Sequence, residues 1–517
     1  MAFLCETPDR RVIPNWRSLS DTISNGELEY PSNEHVVFNL EKYENDWNQE
    51  HSLLYASELV SAAVANGIEH NSTAKEAAEF VLTHDAKITD AQKTVALSLL
   101  QDDAAEAVVK CNHEIDELLM NTSEIYAKIG YFKSLIRKYP YSPINYVEIA
   151  RFYAMIGQTK QAINMMNIAL ALDSENRFVS RSAARLFVHV EDLDRAHYVL
   201  RKNEQVAFDP WLMASEISVN LLRGRSSSLI KKGIALINSG DFSPFSLSEL
   251  SSSLGTLELV KGTQKKSKLF FEKSLISPND NSLAQAEWAK ANKLSLHFDK
   301  AVCEKVNMSY EANALYAYQN DKYEDALKAS IRWLNDMPYS KNPIFVGANI
   351  SYTFLKDYKT AAKILKRGLE ANPNEPAFMN NLAYTYALDG KLVEANEIMN
   401  RVNKISDIDE RTKICLSATR GLIAYREKRI EEGRTLYLKA IKAAKDIQGD
   451  PTYSWNAILN FVREEILATN IIPSDIDAVL TQIHEAPKDK GVKMLKQDIQ
   501  KIVAKRRIAL SMAKKDK

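Results

Sequence analysis

The stretch "NPIFVGANISYTFLKDYKTAAKILKRGLEANPNEP" (342–376) runs into "AFMNNLAYTYALDGKLVEANEIMNRV" (377–402), and the second part copies the first. A shift of 34 positions carries Ala361 to Ala395, Phe345 to Met379, Tyr352 to Tyr386, Tyr358 to Leu392 and Leu365 to Met399. Small residues stay small and large ones stay large. A fixed period near 34 marks a repeat made of two antiparallel helices. Ala361 and Ala395 fall where the second helix of a pair touches the first, and only a small side chain lets two axes approach to about 8–10 Å. One pair cannot bury its apolar face alone, so at least three stacked repeats are expected.

The order of these residues resembles the tetratricopeptide repeat (TPR) family. Its pattern is a bulky residue, a small or Leu pair, a Tyr, a turn Gly, then Ala, a bulky residue and a closing Pro. Here Met379, Leu382, Ala383, Tyr386, Gly390, Ala395 and Met399 supply it, as do Phe345, Tyr352, Tyr358, Ala361, Leu365 and Pro373 in the preceding unit. The resemblance implies an all-α, TPR-like α–α solenoid with degenerate helical repeats at both ends. Residues 143–176 return to the pattern through Tyr146, Ile149, Ala150, Tyr153, Gly157, Ala162 and Ala169. The unit from Arg177 keeps Ala184, Phe187 and Ala196 but loses its turn Gly. In the unit from Ser248, Glu258 stands where the Tyr belongs. The unit from Asn307 has Tyr310, Ala314, Tyr323 and Ala326, and in the unit 414–447 Gly433 takes the small position.

The array is thus expected over 143–447. Before it come an irregular arm at 1–46, packed on an end of the array or disordered, and degenerate helical repeats at 47–142. Thr73 and Glu76 suggest a capping box there, and Thr89 a cap for a helix through Val109. After it come helices at 448–487 and a basic amphipathic helix at 488–517. That last stretch holds eleven Lys and Arg against three Asp, with Val492, Leu495, Ile499, Ile502 and Val503 as one apolar stripe. The stripe suits a cap on the array, the charge suits an acidic partner or nucleic acid, and a frayed terminus is the third reading.

Composition narrows the function. Gly (16) and Pro (15) are each about 3% of 517 residues, below the usual ~7% and ~5%, as a helical chain with short turns requires. The net charge is zero, so no global field attracts nucleic acid or membrane. Nucleic acid is expected only indirectly or through the basic tail. Cys5, Cys111, Cys303 and Cys415 are far apart and form no CxxC, which suits free thiols in a reducing compartment. The N-terminus has no apolar signal core, and no run approaches the ~18 apolar residues of a membrane span. A cytoplasmic protein is expected.

No phosphate-binding Gly loop, zinc-protease motif or nucleophile elbow occurs. Cys111, His113 and Glu114 cluster without a second ligand pair, short of the four ligands of structural zinc. No enzyme activity, cofactor or metal is expected.

By the resemblance, the first helix of each pair lines the concave face. That face would include Val346, Ile350, Phe354, Asn380, Asn381 and Tyr384. Ile350 and Phe354 equally suit the core between repeats, whereas buried Asn amides need partners and can hold the backbone of an extended peptide. Some TPR proteins clamp a C-terminal carboxylate with basic first-helix residues. Val346, Ile350, Cys415 and Thr419 stand at those positions here, so such a clamp is not expected. The sequence reads as a protein–protein interaction scaffold or adaptor binding a protein or peptide. The alternative is a regulatory or sensor subunit controlling an effector enzyme such as a nuclease.

Overall fold

The computed structural model describes residues 11–24, 40–65, 71–84, 87–88, 90–100, 122–297, 300–446, 451–469 and 489–515. Among them every regular element is helical. The chain divides into two units, 29–117 by itself and 1–28 together with 118–517. The Thr89–Val109 cap and the Cys111 cluster fall wholly or partly outside the described residues, as does the helix expected from 470 to 487.

The first unit holds α2 (Leu40–Gln49), α3 (Leu53–Ala65), α4 (Ser72–Thr83) and α5 (Asp90–Leu100). A small Ala-rich core forms around Trp47, Leu59, Ala77, Val81 and Leu99. Helix α4 starts one residue before Thr73. Its cap is Asn71, whose side chain accepts from the Ala74 amide at 2.8 Å. Helix α2 begins at Leu40, inside the stretch read as irregular.

The second unit opens with an extended segment, residues 11–18, and a short helix α1 (Leu19–Ser24). Helix α6 (Thr122–Lys138) packs on α7 (Pro143–Met155) and so starts the array. Hairpins follow: α7 with α8 (Thr159–Leu172), α9 (Arg177–His189) with α10 (Leu193–Lys202), and α11 (Pro210–Leu222) with α12 (Ile230–Ser239). Then come α13 (Ser248–Lys261) with α14 (Gln264–Ser274), then α15 (Asp280–Ala291) and the single turn α16 (Lys300–Cys303), with α15 packed on the helix at 310–319. The last hairpins are α17 (Tyr310–Gln319) with α18 (Tyr323–Asp336), α19 (Lys341–Asn349) with α20 (Tyr358–Ala371), α21 (Pro376–Leu388) with α22 (Leu392–Val402), and α23 (Glu410–Arg426) with α24 (Ile430–Asp446). Helices α25 (Thr452–Thr469) and α26 (Lys490–Lys515) complete it.

Most of the hairpin turns share one geometry. A left-handed residue follows the first helix, and the next amide bonds five residues back. Gln158 to Tyr153, Asp192 to Phe187, Lys322 to Ala317, Lys391 to Tyr386 and Arg429 to Ala424 are all 2.9 Å. This bond caps the helix C-terminus. The turn that lost its Gly keeps the geometry with Glu191 at φ 63°. Asp321 and Lys428 do the same elsewhere.

Ala361 and Ala395 are fully buried where paired helices touch. At Gly433 a Cβ would come within 2.6 Å of the Tyr425 ring, so the substitution of Gly for Ala there permits an aromatic to lie across the contact. One irregularity falls in the repeat that defines the register. After α19, residues Ile350–Leu355 form a π-helical turn, and Asp357 reaches back six residues to Ser351. The 34-residue shift holds on both sides of this turn, from Phe345 to Met379 before it and from Ala361 to Ala395 after it, so the turn changes the local hydrogen bonding and not the period.

The array turns back upon its own start. At Gly157 an added Cβ would lie 2.7 Å from the Glu370 carbonyl and 2.9 Å from Pro373. Glu191 and Arg185 meet Lys341 and Ser340. Helix α26 lays Val492, Leu495, Ile499 and Val503 on Leu459, Val462 and Ile466 of α25. It also reaches back to the hairpin turns, through Lys490 to the Tyr318 and Gln319 carbonyls and Asp498 to Lys356. No described helix is long and apolar enough to cross a membrane.

Candidate functional site: the inner face of the array

First helices α7, α9, α11, α13 and α15 are buried nearly all round. Their outer sides meet the second helices, and polar groups on the opposite side are covered too. Buried charges demand partners, and these have them. Arg181 pairs with Glu249 at 3.0 Å, and Arg177 lies against Asp209. Glu249 also accepts from Asn279 and Asn281.

What covers part of this face is the chain's own arm. The arm, expected on an end of the array or disordered, instead runs between the helices over residues 11–19. Asn281 donates to the Ile13 carbonyl at 3.1 Å, and Glu148 accepts from the Leu19 amide at 2.7 Å. Tyr339 takes both main-chain groups of Trp16, each at 3.2 Å. Arg17 forks onto Asp336 at 2.8 and 2.6 Å and reaches Asp280 at 2.7 Å. Burial alone would lower the Arg17 pKa, but the two carboxylates hold it well above its ordinary value. Val12, Trp16 and Arg17 keep at most 3% of their surface. Tyr339 is itself wedged by the His189 ring at 5.4 Å and the Arg185 guanidinium at 5.3 Å. Burial, then Arg185 and Lys341, push the His189 pKa down to about 3, so the ring is neutral.

Farther along, α21, α23, α25, α26 and the π turn border a half-open pocket of ≈ 120 Å³. Asn380 and Tyr384, two of the residues expected on the concave face, line it. Asn380 accepts from Thr419 at 2.9 Å and donates to Asn381 at 3.3 Å, and both Asn side chains are buried. Tyr384 donates to Asn460 at 3.3 Å and meets Tyr352 edge-on at 5.6 Å. Val346 and Ile350 are buried in the main core, and Phe354 stacks on Tyr323 at 4.1 Å. Burial pushes the Cys415 thiol in the cavity wall up to about 11, so it stays protonated.

The arm residues and their receptors Tyr339, Asp280 and Asp336 carry no signal in the repeat pattern, because they belong to linkers and helix ends. Arg463 in the cavity wall left a readable trace. It sits at helical spacing from Leu459 and Ile466, an arginine on an apolar face. Among the described residues no group of three or more His, Cys, Asp or Glu could hold a metal.

No protein-family model matches the chain. No curated protein matches it either. Similar solved structures include a human IFIT1 dimer with PPP-AAAA, 15% identical over 77% of this chain and 96% of that one, TM-score 0.36. The APC/C hetero-tetramer Cut9–Hcn1 is 12% identical over 92% and 89%, TM-score 0.31. Yeast Tom70 is 13% identical over 76% and 96%, TM-score 0.29. These values are low, and the class of the molecule rests on its own hairpins: it is an all-α solenoid of TPR-like repeats.

Proposed function

We propose that this chain is a protein-interaction scaffold whose inner face holds an extended segment of a partner protein. One observation carries the reading: the face already grips an extended peptide, residues 11–19, largely by its main chain. A partner segment of the same chemistry, an aromatic followed by Arg, would compete with the arm for Tyr339, Asp280 and Asp336. Binding rather than catalysis fits an interior built of paired charges.

A second reading rests on the same contacts. An arm seated in the binding face suits a regulatory subunit, in which release of the arm reports occupancy to an effector enzyme such as a nuclease.

The test uses a chain starting at residue 25 and a synthetic peptide of residues 11–24. Calorimetry should show the peptide binding, with affinity falling when Arg17 becomes Ala in the peptide or Asp336 becomes Asn in the protein. A folded, truncated protein that ignores the peptide sinks the proposal.

A further inference from the structure

The half-open pocket of ≈ 120 Å³ is walled by tyrosines from five elements. Tyr352 comes from the π turn, Tyr358 from α20, Tyr384 from α21, Tyr437 from α24 and Tyr453 from α25.

Charge sets the class of ligand. Lys356 and Arg463 also line the pocket, and both are paired, with Asp498 at 2.6 Å and Glu464 at 2.7 Å. Next to them Arg426 shares Glu464, and Arg434 holds both Glu431 and Glu465. Four cations thus meet four carboxylates. A charged ligand would lose its hydration with no counter-charge to meet it, so the pocket suits a neutral molecule.

Two polar groups in the wall have hydrogen-bonding capacity to spare. Tyr437 lines the pocket and keeps 1% of its surface. Its hydroxyl retains some of that surface and has no hydrogen-bond partner among the described residues. Burial pushes its pKa well above the ordinary value, so at neutral pH it is a donor without an acceptor. Asn456, half-buried in the same lining, has no side-chain hydrogen bond among the described residues either. The other amides are engaged, Asn380 with Thr419 and Asn381, and Asn460 with Tyr384 and the Asn456 carbonyl. A hydroxyl buried without an acceptor is unfavourable, and a ligand carbonyl supplies one.

Size sets the rest. A dry cavity of about 150 Å³ in another protein holds one benzene ring, so this smaller, half-open space takes a single ring with its edge at the mouth. Tyr352 and Tyr384 meet edge-on at 5.6 Å, and aromatic rings prefer offset or edge-to-face neighbours of this kind.

We infer that this pocket is a binding site for a small neutral aromatic molecule bearing a carbonyl, such as an aromatic carboxamide. The carbonyl accepts from Tyr437 Oη, the amide meets Asn456, and the ring lies among the tyrosines. The pocket shares no residue with the arm's receptors Tyr339, Asp280 and Asp336, so this inference and the proposed function can fail separately.

The experiment titrates the full-length chain with benzamide, benzoate and benzylamine, using ligand-detected NMR and calorimetry. Benzamide should bind, and the two charged analogues should bind at least about tenfold more weakly, because neither finds a counter-charge. Tyr437→Phe removes one oxygen that bonds to nothing in the free protein. Its melting temperature should therefore stay level or rise, while benzamide affinity falls about threefold or more. Ala418→Leu fills the pocket from α23 and should abolish binding in a folded protein. No benzamide binding by the intact chain overturns the inference. So does a charged analogue that binds as tightly as benzamide, or undiminished benzamide binding by folded Tyr437→Phe or Ala418→Leu. A capped tripeptide with a central phenylalanine that binds more tightly than benzamide would make this a side-chain pocket for a partner protein, and the small-molecule assignment falls.

Discussion

The hydroxyl of Tyr339 accepts from the Trp16 amide and donates to the Trp16 carbonyl, both at 3.2 Å, across 323 positions of sequence. One phenol thereby satisfies the main chain of a residue that can join neither helix nor sheet. Buried backbone groups are almost always paired, so this contact decides whether the arm can enter the array at all. Tyr339→Phe should cost roughly 1–3 kcal/mol through the two orphaned backbone groups. Hydrogen exchange at residues 11–19 should rise while the hairpins keep their protection; unchanged exchange in the arm refutes this role.

His189 packs against the same phenol, and burial holds its pKa near 3. The unfolded ring titrates near 6.5. Its folded pKa is depressed, so the stability it contributes is present above pH 6.5 and is lost as pH falls toward 3. His189→Phe should flatten the fall in urea midpoint between pH 6.5 and 4 relative to the parent. Parallel curves for the two proteins would show that His189 is not the group responsible.

Ala395 is fully buried between α21 and α22. Ala395→Trp should destabilise by about 1–3 kcal/mol or more through overpacking. Lys391→Trp, at the exposed edge of the same turn, should stay within about 0.5 kcal/mol. Equal melting temperatures for both would mean that the repeat register is misplaced.

Lys428 is exposed and left-handed at φ 65°, a conformation that costs an L-residue roughly 1–2 kcal/mol. Lys428→Gly should relieve part of this, offset by the greater freedom of Gly in the unfolded chain. A net gain of about 0.5 kcal/mol is expected in denaturant titration. A loss would indicate that the side chain matters more than the turn.

Helix α26 covers Leu459, Val462 and Ile466 with four buried residues. Ending the chain at residue 504 should leave the melting temperature nearly unchanged. Ending it at Asp489 should lower stability by on the order of 5 kcal/mol and promote aggregation. A thermally silent longer truncation would assign the helix to partner binding instead.

The sequence by itself determined the repeat. The small positions Ala361 and Ala395, the spacing of the tyrosines and the scarcity of Gly and Pro are local requirements of stacked helix pairs, so they recur and can be read. The left-handed turn at Glu191 was illegible, because a hairpin tolerates a strained non-Gly residue when its hydrogen bonds hold it. The π turn at 350–355 was hidden because it leaves the 34-residue period unchanged and alters only the backbone hydrogen bonding. Only the tertiary structure decided that residues 11–19 lie inside the array. That choice depends on Tyr339, Asp280 and Asp336, which come together because the solenoid turns back on itself. The sharing of Glu464 is tertiary as well: Arg426, from another hairpin, reaches the carboxylate that Arg463 also holds, and no spacing along the chain records that.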